Sequence, residues 1–228
     1  MQVAHTLSLD ALRQEICRVG RSLFERGYVH ATAGNISARV APHLGGGFLI
    51  TPTDACLGFL EPQHLAWLDA GGQQQSGAPA SKTLALHRRI YEADAQAQCV
   101  IHTHSTHVVA VTLQDPAGDG DLLPPLTPYF VMKVGHVPRI PYCRPGDPKV
   151  ADLVARQIER ARAAGYPLRA VMLDRLGPNV WHASPAQAMA VLEELEETAR
   201  LWTMCRPQPP SLTPAQLDEL RQHFNAPW

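Results

Sequence analysis

SKTLALHRRIYEADAQAQCVIHTH, residues 81–104, decides the fold. Its first half carries Leu84, His87, Ile90 and Tyr91 at helical spacing, with Ser81 where such a helix would open. Its second half, CVIHTH, is a short apolar run that reads as a buried strand. Helix leading into buried strand is the unit of an α/β architecture. Within the run, His102 and His104 are two apart, so in a strand their imidazoles share a face while Thr103 points away. Two imidazoles on one face are half of a divalent-metal site. Spacing alone fits strand-end histidines with ordinary hydrogen-bond partners as well, because two ligands fall short of the three or four a stable site needs.

Upstream, Leu12, Ile16, Val19 and Leu23 recur on one helical face between Ser8, an N-cap, and Gly27, a C-cap. HATAGNISARV (30–40) reads as the polar loop of a hairpin leading to a strand at Phe48–Ile50. The glycine- and glutamine-rich stretch 70–80 is too short to separate two cores. Downstream, PRIPYC (138–143) is extended, RPGDP is a turn, 149–164 is an amphipathic helix and AVML (170–173) is a strand. Ser184 with Pro185 and Gln187 starts a helix holding Leu192, Leu195, Ala199 and Trp202, and Pro207, Pro209 and Pro210 end it. Residues 1–228 thus read as a single α/β domain with a helical tail from about 207.

A chain of 228 residues can bury about 70% of its unfolded surface, so a core is not limiting. The formal net charge of −1 gives no reason to expect nucleic acid or an anionic membrane as partner, and a small molecule is the default. Cys17, Cys56, Cys99, Cys143 and Cys205 contain no CxxC pair and read as reduced thiols. MQVAHTLSLDALRQEI lacks a basic segment followed by an apolar one, and no apolar run approaches membrane-spanning length, so a cytoplasmic protein is expected.

Three further segments suit an anion. Gly34 and Asn35 in AGNIS, and Thr51 and Thr53 in TPTD, lie in loops of small residues with free amides and hydroxyls, and Ser81 and Lys82 stand at a helix start. Each alone serves equally as a turn or cap. His87 and His107 read as structural, His5, His30, His43, His64 and His223 as residues of polar or terminal context, and the charged faces of 155–162 and 193–200 as solvated helix surface.

Taken in order, GNIS, ITPT, the PASK helix start, HTHSTH, PYCRPGDP and the Glu-rich final helix resemble the class II aldolase and adducin-head family over nearly the whole chain. ERGYVHATAGNIS, LITPTDACLG and LPPLTPYFVMKVG look most like its 3-oxo-tetronate 4-phosphate decarboxylases. The resemblance implies a three-layer α/β/α sandwich around a mixed, largely antiparallel sheet, assembled as a homotetramer. It implies a divalent ion, zinc foremost, held by His102, His104 and a third histidine, which stabilises the enediolate left when a C–C bond breaks. It further implies a sugar-acid phosphate bound by Gly34, Asn35, Thr51, Thr53, Ser81 and Lys82, with Tyr129 protonating the enediolate. Separately from the resemblance, a cationic group such as Lys82 would give a 3-oxo acid modest assistance in losing carbon dioxide if the metal were lost. Two positions depart from the pattern. Leu176 stands where the third histidine would be, and Thr83 where the family has a catalytic glutamate. A substitute ligand from His182, His136, Asp174 or a neighbouring subunit would restore the site. Without one, the chain would act metal-free, or bind a phosphorylated ligand or serve as a scaffold without catalysis.

Overall fold

The computed structural model describes residues 7–115 and 120–228, so the first six residues of the stretch read for a leader lie outside it. Helix α1 (Leu9–Glu25) is capped by Ser8, whose hydroxyl accepts from the Ala11 amide at 3.2 Å. It buries Leu12, Ile16, Val19 and Leu23, each worth about 1.5–3 kcal/mol when fully removed from water. Arg26 is the C-cap, and Gly27, at φ +76°, takes the left-handed step after it.

The chain then forms β1 (Asn35–Arg39), β2 (Phe48–Ile50), β3 (Ala66–Leu68) and β4 (Gln74–Ser76), an antiparallel series. The expected polar loop over 30–40 is therefore half strand: NISAR is β1 and almost wholly buried. Helix α2 (Leu84–Ala93) begins at Leu84 with Thr83 as N-cap, later than Ser81 suggested, because residues 81–83 form a turn before it.

Strand β5 (Cys99–His102), helices α3 (Thr106–Gln114) and α4 (Pro128–Lys133), and the two-residue β6 (Arg139–Ile140) follow. Then come α5 (Lys149–Ala163), β7 (Ala170–Leu173), β8 (Gly177–His182), α6 (Pro185–Met204) and α7 (Pro214–Phe224). The eight strands form one sheet in the order β4-β3-β2-β1-β5-β8-β7-β6, antiparallel throughout except for the β6–β7 pair.

Helices cover both faces. Ile36, Ala38, Cys99, Ile101 and Val180 meet α1, α3, α4 and α6, whereas Val100, Val171 and Trp181 meet α2 and α5. This is the three-layer α/β/α sandwich, and it explains why β5 is buried along its whole length. Among the described residues no helix is long and apolar enough to cross a membrane, and all five cysteines are free.

Register places the chemistry. Asn35 on β1 and Asn179 on β8 both lie directly opposite His102 on β5. Cross-strand partners share a face, so these side chains form a row on the α2 side of the sheet.

Candidate active site

The three anion-suited segments meet around His102. Gly34 has φ +86°, and a Cβ there would stand 2.6 Å from the His102 carbonyl oxygen, so only glycine lets the loop close against β5. The Ile36 amide donates to Thr51 Oγ1 at 3.2 Å, the Thr51 amide to the Ile36 carbonyl at 3.0 Å, and the Ser81 amide to the Thr51 carbonyl at 3.3 Å. Thr51 is fully buried and knits the loops together. Asn35 Nδ2 donates to Thr83 Oγ1 at 3.3 Å, and Ser81 Oγ donates to the same oxygen at 3.2 Å. Thr83, at the place of the family's glutamate, is thus a hydrogen-bond hub. Thr53 and Lys82 are exposed at the rim, with the Thr53 amide bonded to the Pro79 carbonyl at 2.9 Å.

His102 is the last residue of β5, and its Nδ1 lies 2.9 Å from the Pro178 carbonyl oxygen. A carbonyl only accepts, so Nδ1 carries the proton and Nε2 presents a lone pair. Burial, then the like charge of His104, pushes this imidazole down to about 4, against the opposing bond to Pro178. His104 lies beyond the strand end, yet the rings stay in edge contact, with centroids 5.1 Å apart and planes at 69°. Its proton affinity is lowered by burial and then by His30. The sequence reading left His30 among polar-context residues; nothing in periodicity links it to His104.

Gly177, at φ +147°, packs against the Thr103 carbonyl and so brings Leu176 to the histidines. Leu176 has no donor atom. Among the described residues no group of three or more His, Cys, Asp or Glu side chains could hold a metal ion. The substitutes considered from sequence are engaged elsewhere. Asp174 pairs with Arg139 through two bonds of 2.9 and 2.8 Å, and His136 bonds Asp121 at 2.6 Å. His182 lies opposite Cys99, at the far end of β5 from His102. Class II aldolases generally depend on a divalent metal, but among the described residues the donor set at this place, His102 and His104 with Leu176 in the third position, falls short of the three or four ligands a metal needs.

Beside His104 opens a cavity of about 370 Å³. It is lined by His30 and His104, by Arg175 and Leu176, and by Thr106, Val109 and Leu113 of α3. Arg175 has φ +63°, a left-handed conformation uncommon for a long side chain, and its amide donates to Thr112 Oγ1 at 3.1 Å. A larger cavity of about 580 Å³ lies near Asp94, Arg162 and Tyr166, beyond the C-terminal end of α2 and remote from the histidine pair. Tyr129 is 63% exposed on α4, and no bond or ring contact joins it to His102 or His104 among the described residues.

Two supporting groups complete the surroundings. His87 of α2 is fully buried, with Nδ1 2.8 Å from Ser37 Oγ, which in turn lies 2.8 Å from the Tyr91 hydroxyl. Glu196 is 5% exposed rather than solvated, because its carboxylate accepts from the His107 and Val108 amides at 2.9 and 3.0 Å and caps α3.

Comparison with known proteins bears on this arrangement. Residues 14–203 match the family model described as class II aldolase and adducin N-terminal domain. A 3-oxo-tetronate 4-phosphate decarboxylase of Cupriavidus necator is 51% identical over 95% of this chain and 97% of its own. One of Escherichia coli K12 is 37% identical over 93% and 96%. The crystal structure of YgbL from Klebsiella pneumoniae superposes with a TM-score of 0.85 at 36% identity, covering 94% of this chain and all of that one.

Proposed function

The chain belongs to the class II aldolase and adducin N-terminal domain family, and from that membership we propose that it is a carbon–carbon lyase that decarboxylates a 3-oxo-tetronate 4-phosphate. The observation that carries this reading is the convergence of the glycine loop, the Thr51 loop and the α2 start on His102. An anion would sit at the N-terminal end of α2 among backbone amides, with Asn35, Ser81 and Thr53 around it and Lys82 adding formal charge.

In the reaction the bond between the carboxyl carbon and C2 breaks. Its electron pair moves onto the C3 ketone oxygen, carbon dioxide leaves, and a proton adds to C2 to give a three-carbon ketose phosphate. Nε2 of His102, held as an acceptor by the Nδ1 bond to Pro178, receives the C2 hydroxyl hydrogen and fixes the substrate's orientation. Lys82 offsets developing negative charge from the phosphate side. Tyr129, exposed on α4, protonates C2 in the site of a neighbouring copy, so the working unit has more than one copy; the homotetramer and the cytoplasmic location are carried by the family resemblance alone. Zinc, the ion implied by resemblance, would meet only two imidazoles in one chain.

Full-length protein incubated with 3-oxo-tetronate 4-phosphate is expected to release carbon dioxide and a triose phosphate, and to ignore the unphosphorylated acid. Phosphate-ester binding without carbon dioxide release would instead make it the non-catalytic binder that Leu176 and Thr83 favour.

A further inference from the structure

We propose that the cavity beside His104 is the subsite for the substrate's carboxylate, and that Arg175 is the residue selecting substrates that carry one. The inference rests on the reading of the substrate as a phosphorylated 3-oxo acid, and adds where its second anion goes.

Such a substrate is charged at both ends, with its ketone between. The phosphate cradle abuts His102 through Gly34 and Asn35, whereas the cavity abuts His104. The histidine pair therefore divides two pockets, which puts the carbons undergoing change at the imidazoles. Among the described residues that line the cavity none is acidic; its ionisable residues are Arg175, His30 and His104, and Thr106 is its other polar one. No ion pair engages Arg175 among the described residues, whereas Arg139 is held by Asp174, the residue just before Arg175. The backbone at Arg175 is in the left-handed region, where a residue with a Cβ is strained, and the amide bond to Thr112 Oγ1 holds it there. That backbone places an exposed arginine, with no ion pair among the described residues, in the cavity lining.

The rest of the lining is of opposite character. Leu176, Val109 and Leu113 offer nothing to a carboxylate but accept neutral carbon dioxide. A cation deep in the pocket would stabilise the carboxylate ground state and oppose its loss. Arg175 is exposed, so it attracts the carboxylate through a solvent-screened charge, and the apolar residues beside it receive the neutral carbon dioxide that the carboxylate becomes.

The test is titration calorimetry on the full-length protein with two unreactive probes: tetronate 4-phosphate, which has the carboxylate, and glycerol 3-phosphate, which lacks it. The wild type is expected to bind the first more tightly. Arg175→Gln should weaken it by on the order of tenfold and leave glycerol 3-phosphate unchanged, with Arg175→Lys restoring most of the loss. Leu113→Asp, at a half-exposed position, should also weaken only the carboxylate probe. Equal affinity of wild type for the two probes, or an Arg175→Gln protein that keeps full preference, overturns the subsite alone. Binding of neither probe by the wild type overturns the phosphorylated-acid reading and the subsite with it.

Discussion

His87 is sealed against α2's side of the sheet, and burial, followed by the like charge of His102, pushes its imidazole down to about 3. In the unfolded chain the same ring titrates near its ordinary 6.5. Between those values the unfolded state binds the extra proton, so stability is full above about pH 6.5 and falls as pH drops, by up to ~1.4 kcal/mol per pH unit for this group. Urea midpoints followed from pH 7 to 4.5 should fall less steeply in His87→Gln than in wild type; parallel slopes would mean that another group carries the loss. Leu176 makes the second residue-scale case. Held beside the His102/His104 pair by the Gly177 turn, it needs only an imidazole to complete a three-histidine set. Elemental analysis after zinc incubation should give well under one ion per chain for wild type and close to one for Leu176→His. Equal uptake by both proteins would place metal elsewhere.

At the scale of elements, α3 starts two residues after His104, and its N-cap Ser105 makes no side-chain capping bond. The cap comes from Glu196 on α6, which also accepts from His107 Nδ1 at 2.8 Å. Removing it leaves buried amides unpaired, so Glu196→Ala should cost roughly 2–3 kcal/mol in denaturant unfolding and Glu196→Gln about half of that. A surface-like loss of a few tenths would refute the capping role. Sequence could not reveal this carboxylate, because it lies in a run of charges and its partners are at the start of another helix. By contrast α1, α5 and α6 were legible, since each carries an apolar stripe and α1 and α6 open on serine caps. Strand β1 does alternate, Ile36 and Ala38 against Asn35, Ser37 and Arg39, but its polar side is buried too, with Asn35 Nδ2 bonded to Thr83 and Ser37 to His87 and Tyr91, so a run that reads as a polar loop is a strand covered on both faces. The His102/His104 pair was readable from spacing, although His104 proved to lie past the strand. His30 and Arg175 were not, because the β1–β5 and β5–β8 pairings together bring their segments to the same cavity.

At the scale of the whole molecule, the proposed role of Tyr129 demands more than one copy, since it stands exposed on α4 without contact to the histidine pair of its own chain. Phe59, at 77% exposed, Tyr142, at 63%, and Met204, at 67%, add apolar surface that association could cover. Light scattering should therefore return about four times the 24.9 kDa chain mass, and a monomer would overturn the assembly. Mass alone does not say whether Tyr129 works across the contact, but mixed oligomers do. Tyr129→Phe retains the Lys82 cradle, and Lys82→Met retains the tyrosine, so each alone should release little carbon dioxide. When subunits of the two are exchanged, about one site in four pairs an intact cradle with a neighbour's intact tyrosine. Activity should then recover to about a quarter of wild type. If Tyr129 serves its own chain instead, every site keeps one defect whatever its neighbours, and mixing restores nothing.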